Sequence, residues 1–266
     1  MRDPRAPHGD DIRTAPPLMP GVVHLWVLHA ELPGVVEGLG CEGALGTEET
    51  ARAAAYRRPR DRQTYIAAHL ALRSLLSAYT GIAPDRLDLG RAPCPRCRGR
   101  HGPPVLRSVP AHAPHFSLSH SHGLAVVALA ASPVGVDVQR AVREESALRC
   151  LGALHPYERQ QLTELNGHQL TLGFGELWVR KEAYLKGIGT GLCRGVAADF
   201  LGAPTPAAPP RPEGWSVHNV PLPHAGHLAA TALRSTAPHR TVIHPEAPRT
   251  HRPTRPAPRT PEGTRT

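Results

Sequence analysis

Residues 134–139 read Val-Gly-Val-Asp-Val-Gln and residues 178–189 read Trp-Val-Arg-Lys-Glu-Ala-Tyr-Leu-Lys-Gly-Ile-Gly, and these two stretches decide the fold. In the first, valine alternates with small or polar residues, which predicts a β-strand whose side chains point to two faces in turn. The valines then face a core, whereas Gly135, Asp137 and Gln139 share the opposite face. The second stretch has helical spacing and ends in a glycine cluster. A strand and a helix of this kind predict an α/β (α+β) fold.

Both stretches carry groups that suit a metal-bound phosphate. Two oxygen donors on one strand face, with a glycine leaving room for a ligand, suit Mg2+, which takes few protein ligands. On the helix, Trp178, Glu182 and Lys186 recur four apart and so lie near one face. A carboxylate there is able to join Asp137 at a metal, with the lysine reaching a bound phosphate. The plainer alternatives are a strand with a polar outer face and a surface Glu–Lys pair.

The lysine content adds a hint about the helix. Of the 31 basic residues only Lys181 and Lys186 are lysine, and the others are arginine. An ammonium is a compact point charge, whereas guanidinium is a wide planar fork. We therefore expect these two positions to need an ammonium, with chance as the alternative.

The rest of the chain predicts further helices and strands around these stretches. Predicted strands cover residues 22–29, 116–119, 124–131, 215–220 and 227–233, and predicted helices cover 47–80 with a break at Pro59, 156–165 and 169–186. Residues 1–19 and 236–266 have little to bury and are predicted to be disordered. Between these ends, strand, helix and strands occur twice in order, which predicts an N-terminal half over 20–131 and a C-terminal half over 132–235.

Composition narrows the class of protein. The net charge is +9, which suits a phosphate-bearing cofactor, an acidic protein or a nucleic acid. No apolar run is long enough to span a membrane, and the polar, Pro-rich start does not read as a secretory signal. The five cysteines are odd in number and scattered, which argues against a disulfide framework. We therefore expect a cytoplasmic protein.

One pair of cysteines leaves two interpretations open. Cys94-Pro-Arg-Cys97 is a C-x-x-C motif, and His101 follows it closely. A structural zinc site needs four ligands, and no second cysteine pair is visible nearby. The residues therefore form either a three-ligand fragment of a zinc site or, as we expect, a loop with free thiols.

In their order along the chain, the motifs resemble the surfactin-synthetase-type 4'-phosphopantetheinyl transferases. That family shows a Ser-His element, a G-[IV]-D-[IV]-E strand and W-x-x-K-E-A-x-x-K-x-x-G. Here these stand as Phe116-Ser-Leu-Ser-His120, Gly135-Val-Asp-Val-Gln139 and residues 178–189. The resemblance spans about residues 22–233, and its last motif is the most specific.

The resemblance implies both a fold and an activity. The fold is two similar α/β halves related by a pseudo-twofold axis, with coenzyme A in the cleft between them. The activity is Mg2+-dependent transfer of 4'-phosphopantetheine from coenzyme A to a serine of an apo acyl or peptidyl carrier protein, which releases adenosine 3',5'-bisphosphate. Carriers of fatty-acid, polyketide and nonribosomal peptide synthesis all remain open. A chain that holds both halves is expected to act as a monomer.

The resemblance also implies the metal ligands and the catalytic groups. Asp137 and Glu182 match the family's Mg2+ carboxylates, and Lys186 matches a lysine on the coenzyme A diphosphate. The base that deprotonates the carrier serine is left open between Glu182 and a metal-bound water. Gln139 replaces the usual third acid, so that its amide oxygen reaches the metal either directly or through water.

The remaining implied contacts concern the phosphates of coenzyme A. Ser119 and His120 match residues that hold them, and Arg52 matches by its spacing a basic residue near the 3'-phosphate. The family's Gly-Lys-Pro stands here as Gly102-Pro103-Pro104. The phosphate contact of that lysine is then missing or comes from Arg100 or Arg107.

A second reading remains beside the transferase. The tail 236–266 is rich in arginine, and Gln139 departs from the family pattern. These features fit a basic-tailed homologue that binds nucleic acid or protein and has lost or weak transferase activity. We regard nucleic acid as the less favoured partner, because charge alone does not select it.

Overall fold

The computed structural model describes residues 15–107 and 113–245, which form a mixed α/β fold. The strands are β1 (Val22–His29), β2 (Leu89–Arg91), β3 (Pro104–Leu106), β4 (His115–Ser121), β5 (Leu124–Ala130), β6 (Val134–Arg140), β7 (Trp215–Val220), β8 (His227–Arg234) and β9 (Arg240–His244). The helices are α1 (Val35–Gly38), α2 (Thr47–Ala54), α3 (Pro59–Thr80), α4 (Glu144–Cys150), α5 (Pro156–Thr163) and α6 (Gly167–Gly187). In this described part of the chain, no helix has the length and apolar character needed to cross a bilayer.

Two sheets carry most of the structure. The first has the strand order β4-β5-β1-β9, and the second has the order β6-β8-β7. The valines of β6 pack with Val23, Leu25 and Val27 of β1 in one hydrophobic cluster, as the alternation of the strand predicts. Strands β2 and β3 form a separate hairpin whose connecting loop holds the C-x-x-C motif.

Serine hydroxyls join the two sheets along a seam between β4 and β6. Ser117, Ser119 and Ser121 form the buried face of β4. Their Oγ atoms accept hydrogen bonds from the backbone N–H groups of Val136 at 3.1 Å, Val138 at 3.3 Å and Arg140 at 3.2 Å. These hydroxyls satisfy amides that would otherwise be buried without partners. The seam lies where Ser119 meets Asp137.

Helix α6 lies directly on β6 because of a glycine. A Cβ atom at Gly135 would lie 1.9 Å from the carbonyl oxygen of Ala183 and 2.5 Å from the amide nitrogen of Gly187. The space expected beside Asp137 for a ligand is therefore occupied by the helix backbone. This close approach brings the last two turns of α6 over the polar face of the strand.

The C-terminal boundary differs from the sequence-based prediction. Residues 236–266 are predicted to be disordered, but Arg240–His244 form β9 and pair in parallel with β1. Their Thr-Val-Ile run favours a strand, and His244 stacks on Trp26 with ring centroids 4.4 Å apart. Residues 246–266 and 1–14 lie outside the described residues. At the other end Leu18, in the segment also predicted to be disordered, packs against a hydrophobic cluster.

Candidate functional site

Residues from three distant segments meet at one buried carboxylate. Lys186 Nζ donates to Asp137 Oδ1 at 2.6 Å and to Ser119 Oγ at 2.9 Å. Ser119 Oγ in turn donates to the same Asp137 oxygen at 2.8 Å. Asp137 is 1% exposed, so that Lys186 provides its counter-charge in a place that water scarcely reaches. The structure thus joins the β4, β6 and α6 motifs.

Glu182 lies close enough to this centre to sense its charges. Burial, followed by the nearby Asp137 carboxylate, raises the pKa of Glu182, while Lys186 acts in the opposite direction. Two carboxylates near each other in a poorly hydrated place repel unless a cation joins them. A cation bound between Asp137 and Glu182 would therefore remove this repulsion.

The second oxygen of Asp137 indicates where that charge belongs. Asp137 Oδ2 is buried and has no hydrogen-bond partner among the described residues. Buried carboxylate oxygens are rarely left unpaired. An unpaired carboxylate oxygen beside a second carboxylate offers the hard oxygen ligands that Mg2+ prefers. The residues present therefore fit a divalent cation held by Asp137 and Glu182.

Gln139 is the least supported of the predicted metal ligands. It follows Asp137 on the same face of β6, where it is half-buried and pairs with Leu228 of β8. No contact described for Gln139 joins it to Asp137, Glu182 or Lys186. Its part in metal binding stays a prediction.

A cavity of about 870 Å³ opens next to this centre. This volume lies in the range of about 300–1,000 Å³ that is usual for small-molecule sites. Lys186, His120 and Arg52 are all among the lining residues, whereas the two carboxylates are not. Lys186 thus connects the buried Asp137 carboxylate with the open space.

The end of the cavity near Arg52 is basic and aromatic. The Arg52 guanidinium lies 5.9 Å from the ring centroid of Tyr56, and Tyr65 and Arg91 line the same space. The position of α2 is set by Glu49, whose carboxylate accepts from Arg73 Nε at 2.8 Å. Such a combination of arginines and rings suits an aromatic, phosphate-bearing ligand.

Glu49 is held ionised by its partners. Burial acts to raise its pKa, but hydrogen bonds from His69, Arg73 and the Gly46 amide outweigh that effect and lower the pKa to about 2. Its second oxygen lies 2.8 Å from His69 Nδ1. His69 also lines the cavity. It was not singled out from the sequence, although its i,i+4 spacing from Tyr65 places both residues on the same face of α3.

His120 is kept neutral in this cavity. Burial, followed by the nearby His69 and Lys186, lowers the pKa of His120 to about 4. A neutral imidazole presents one N–H donor and one acceptor. An anion bound beside His120 would reverse the repulsion and favour the charged form.

Ser119 has a different place from the one predicted for it. Its hydroxyl donates to Asp137 and accepts from Lys186 and from the Val138 amide. A hydroxyl has one donor and two acceptor positions, so that all of its capacity is used inside the protein. In this structure Ser119 positions Asp137 and Lys186 and does not line the cavity.

Arg91, and not Arg100 or Arg107, is among the residues that line the cavity. The Arg107 guanidinium lies over Gly90 and within 3.8 Å of Asp88, and neither Arg100 nor Arg107 is among the described residues that line the cavity. Arg91 does line it, and Arg91 Nη1 donates to the Gly102 carbonyl at 3.0 Å. No pattern in the sequence favours Arg91, because the segment that forms the β2–β3 hairpin is rich in proline and glycine and predicts a loop.

The two lysines have separate tasks. Lys186 faces the site, whereas Lys181 is 2% exposed and points into the interior beneath α6. Lys181 Nζ lies 2.8 Å from Glu158 Oε2 and donates to the carbonyls of Val196 at 2.8 Å and Asp199 at 2.6 Å. The prediction that both positions need an ammonium fits this geometry, but only Lys186 belongs to the site.

Comparison with known proteins identifies the family. Residues 133–220 match the model of the 4'-phosphopantetheinyl transferase superfamily. The chain is 31% identical to slr0495 of Synechocystis sp., to which 4'-phosphopantetheinyl transferase activity is provisionally ascribed, over 174 residues that cover 65% of this chain and 67% of that protein. It is 29% identical to the 4'-phosphopantetheinyl transferase HetI of Nostoc sp. over 222 residues, which cover 81% and 89%. It is 33% identical to the 4'-phosphopantetheinyl transferase psf-1 of Bacillus pumilus over 100 residues, which cover 37% and 41%.

Proposed function

The chain belongs to the 4'-phosphopantetheinyl transferase superfamily, and from that premise we propose that it moves the 4'-phosphopantetheine arm of coenzyme A onto a serine of an apo carrier protein in a Mg2+-dependent reaction. The observation that carries the proposal is the meeting of Asp137, Lys186 and Ser119 within 3 Å hydrogen bonds at the edge of a large cavity. Three motifs that are far apart in the sequence would have no reason to converge on a plain structural strand.

The reaction is a displacement at the β-phosphorus of coenzyme A. The serine oxygen of the carrier forms a bond to that phosphorus, and the bond from phosphorus to the bridging oxygen of adenosine 3',5'-bisphosphate breaks. The serine proton is lost, and negative charge collects on the leaving oxygen. Such transfers depend mainly on positioning and on charge stabilisation.

The residues of the site are suited to these demands. Mg2+ bound by Asp137 and Glu182 would neutralise the diphosphate. Lys186, already held by Asp137 and Ser119, places an ammonium where the cavity begins and stabilises charge on the reacting oxygens. The base that takes the serine proton stays open between Glu182 and a metal-bound water, because a cation bound at Glu182 would oppose the effect of burial and of Asp137, which raise its pKa.

The residues that line the cavity suggest how coenzyme A is oriented in it. With the diphosphate at Lys186 and His120, the nucleotide extends toward Arg52, Tyr65 and Arg91, which line the same space. Arg52 is then the contact of the 3'-phosphate, and the rings supply apolar surface for the adenine. The proposal includes the family's arrangement of two halves about a pseudo-twofold axis, with the ligand between β4 and α6. A monomer and a cytoplasmic location complete the proposal.

A transfer assay with one matched pair of variants tests the proposal. Purified protein is incubated with coenzyme A, Mg2+ and an apo carrier protein, and the phosphopantetheine added to the carrier is measured by mass spectrometry. Glu182→Gln keeps the shape of the side chain but removes its charge, and we expect turnover to fall by about a hundredfold. Glu145→Gln makes the same change on an exposed carboxylate that pairs with Arg149 within α4, and it should leave turnover within about twofold of wild type.

Two results would contradict the assignment. Equal turnover in Glu182→Gln and Glu145→Gln would remove Glu182 from the reaction. Phosphopantetheine transfer by the wild type that is unchanged by excess chelator, with no response to added Mg2+, would remove the metal. Circular dichroism of both variants separates a lost function from a lost fold.

A further inference from the structure

Four potential metal ligands converge at the loop between β2 and β3. Cys94, Cys97, His101 and Cys193 each offer a sulfur or nitrogen atom, and these atoms all lie within 4.8 Å of one another. Four ligands arranged tetrahedrally at about 2.3 Å from an ion lie about 3.8 Å apart. Small movements are therefore enough for these groups to surround one cation.

We propose that these four residues form a structural Zn2+ site with a Cys3His ligand set. Thiolates and imidazole are the ligands that select Zn2+, and four protein ligands leave no open position, which is typical of a structural rather than a catalytic zinc. The fourth ligand is the one that the sequence did not show, because Cys193 lies beyond α6. The site is separate from the Asp137 centre and does not rest on the proposed transfer reaction.

The backbone around the first two cysteines has the form of a metal-binding turn. The Cys94 amide donates to the Gly99 carbonyl at 2.8 Å, and the Arg98 amide donates to the Cys94 carbonyl at 2.9 Å. Arg98 has a φ of 62°, in the left-handed region that non-glycine residues adopt mainly where the surroundings hold them. The backbone amides of Cys97 and Arg96 donate hydrogen bonds to the Cys94 sulfur. The turn thus wraps its amides around that sulfur, as expected for a ligand that carries negative charge in a metal site.

A glycine keeps space for the ligands. Cys97 Sγ and His101 Nε2 lie 2.9 Å apart. A Cβ atom on Gly99 would lie 2.9 Å from His101 Cδ2 and 3.4 Å from Cys97 Sγ. A side chain at position 99 would therefore push the imidazole or the sulfur away from the cluster.

The convergence of all four groups favours a metal over a disulfide. A disulfide would use two of the sulfurs and would leave the third cysteine and His101 without a task. All three cysteines are free thiols in the structure. Three thiolates around Zn2+ leave one net negative charge, and the same loop carries Arg96, Arg98 and Arg100, which are able to balance it.

The site would join two segments that build the cavity wall. The loop over residues 92–103 contributes His101, Gly102 and Pro103 to the lining, and the segment after α6 contributes Gly189 and Gly191. They already touch, since a Cβ atom on Gly189 would lie 2.9 Å from Pro103 Cγ. A zinc ion between the loop and Cys193 would fix this contact in place.

Metal analysis of the full-length, untagged protein tests the site. Protein from zinc-replete medium, purified without chelator, should contain about one zinc per chain by plasma mass spectrometry. Cys193→Ser and Cys97→Ser should each contain less than about a fifth of that amount, because a missing ligand weakens the site steeply. Cys150→Ser changes an exposed free cysteine outside the cluster and should keep the full zinc content. Wild-type protein that contains no zinc under these conditions would overturn the proposal.

A second measurement identifies the ligands without relying on the stability of the variants. Cobalt(II) added to the chelator-treated wild type should give the visible absorption of a tetrahedral site together with thiolate-to-cobalt charge-transfer bands. A spectrum of octahedral cobalt without thiolate bands would refute the ligand set. So would a disulfide between any two of the three cysteines in the protein as isolated, detected by peptide mass spectrometry without reduction.

The consequence for the transferase is tested separately. Cys193→Ser is expected to raise the KM for coenzyme A several-fold with a smaller change in kcat, because it loosens the cavity wall and leaves the carboxylates untouched. Zinc content decides the metal proposal and carrier modification by the wild type decides the function, so that failure of one is distinguishable from failure of the other.

Discussion

The buried lysine of α6 makes a prediction whose size follows from the structure. Lys181 and Glu158 are 2% and 0% exposed, and their charged atoms lie 2.8 Å apart. Desolvation lowers the pKa of Lys181, although Glu158 acts to raise it. Lys181→Met keeps the length and the apolar stem of the side chain but leaves Glu158 as a buried charge without a counter-ion. The carbonyls of Val196 and Asp199 also lose their donor.

The expected loss is a substantial part of the stability of the protein. Removing one partner of a buried ion pair costs about 3–5 kcal/mol. Glu158 keeps hydrogen bonds from the amides of Leu201 at 2.7 Å and His155 at 3.0 Å, which places the expectation at the lower end, about 3 kcal/mol. In a chain of this size each kcal/mol lowers Tm by about 2–4 °C, so that Tm should fall by about 6–12 °C.

Urea denaturation followed by tryptophan fluorescence measures this loss by linear extrapolation. Glu158→Gln and the double variant complete a cycle that isolates the pairwise coupling. Hydrogen exchange should increase at residues 196–199, because Lys181 holds that segment. A free energy of unfolding within about 1 kcal/mol of wild type would refute the view that this pair is charged and holds the loop.

Two further predictions concern the terminus and the cavity. A chain that ends at Pro245 keeps β9 and should unfold at the same urea concentration as the full chain. A chain that ends at Ser235 loses the strand paired with β1, and its free energy of unfolding should fall by several kcal/mol. Equal stability of the two truncations would contradict the role of β9. In the free protein His120 has a pKa of about 4, below the ordinary histidine value of about 6.5. The negative charge of a phosphate bound beside His120 should raise that pKa. Binding of coenzyme A at about pH 5–6 should therefore be accompanied by proton uptake. Calorimetry in buffers of different ionisation enthalpy measures that uptake, and the same uptake in His120→Asn would exclude His120 as its source.

The sequence correctly predicted the strands and the helix whose ends are set by nearby residues. The strands over residues 22–29 and 215–220 were confirmed at those bounds, because each is a short run of β-forming residues between turns. The long helix α3 was also expected from its apolar positions, with Pro59 in its first turn and Gly81 ending it at a φ of 72°. Fixed backbone preferences at proline and glycine decide these boundaries without help from the rest of the chain.

Features that depend on contacts between distant residues were not predicted from the sequence. Strand β9 was hidden because proline and arginine dominate the composition of residues 236–266, whereas five residues are enough to extend a sheet beside β1. Cys193 had no visible partner, since its neighbours in space come from the loop after β2. The room expected at Gly135 is filled by α6, a close approach that only packing reveals.

The separate tasks of the two lysines were within reach of the sequence. Each helical residue advances by about 100°, so that positions five apart point about 140° away from each other. Lys181 and Lys186 therefore cannot share a ligand on an undistorted helix. Helical geometry alone thus separates the two lysines, and the structure adds that Lys181 is the one in the interior.

The Ser119 hydroxyl both contacts the candidate site, at Asp137 and Lys186, and joins β4 to β6. The serine seam lets β6 satisfy its amides without pairing with β4, so that the two sheets meet without merging into one. Because the seam alternates, a slip of β4 by two residues would preserve it but would bring Ser117 or Ser121 opposite Asp137. Each of those hydroxyls also accepts a β6 amide, which means that the seam by itself does not choose the register. The hydrogen bond from Lys186 to Ser119 at 2.9 Å does not choose it either, because α6 is fixed on β6 and Lys186 would meet whichever hydroxyl lies opposite Asp137. The pairing of β4 with β5 does choose it, since the two-residue turn at His122 and Gly123, both at positive φ, places Ser119 opposite Val126 and so beside Asp137.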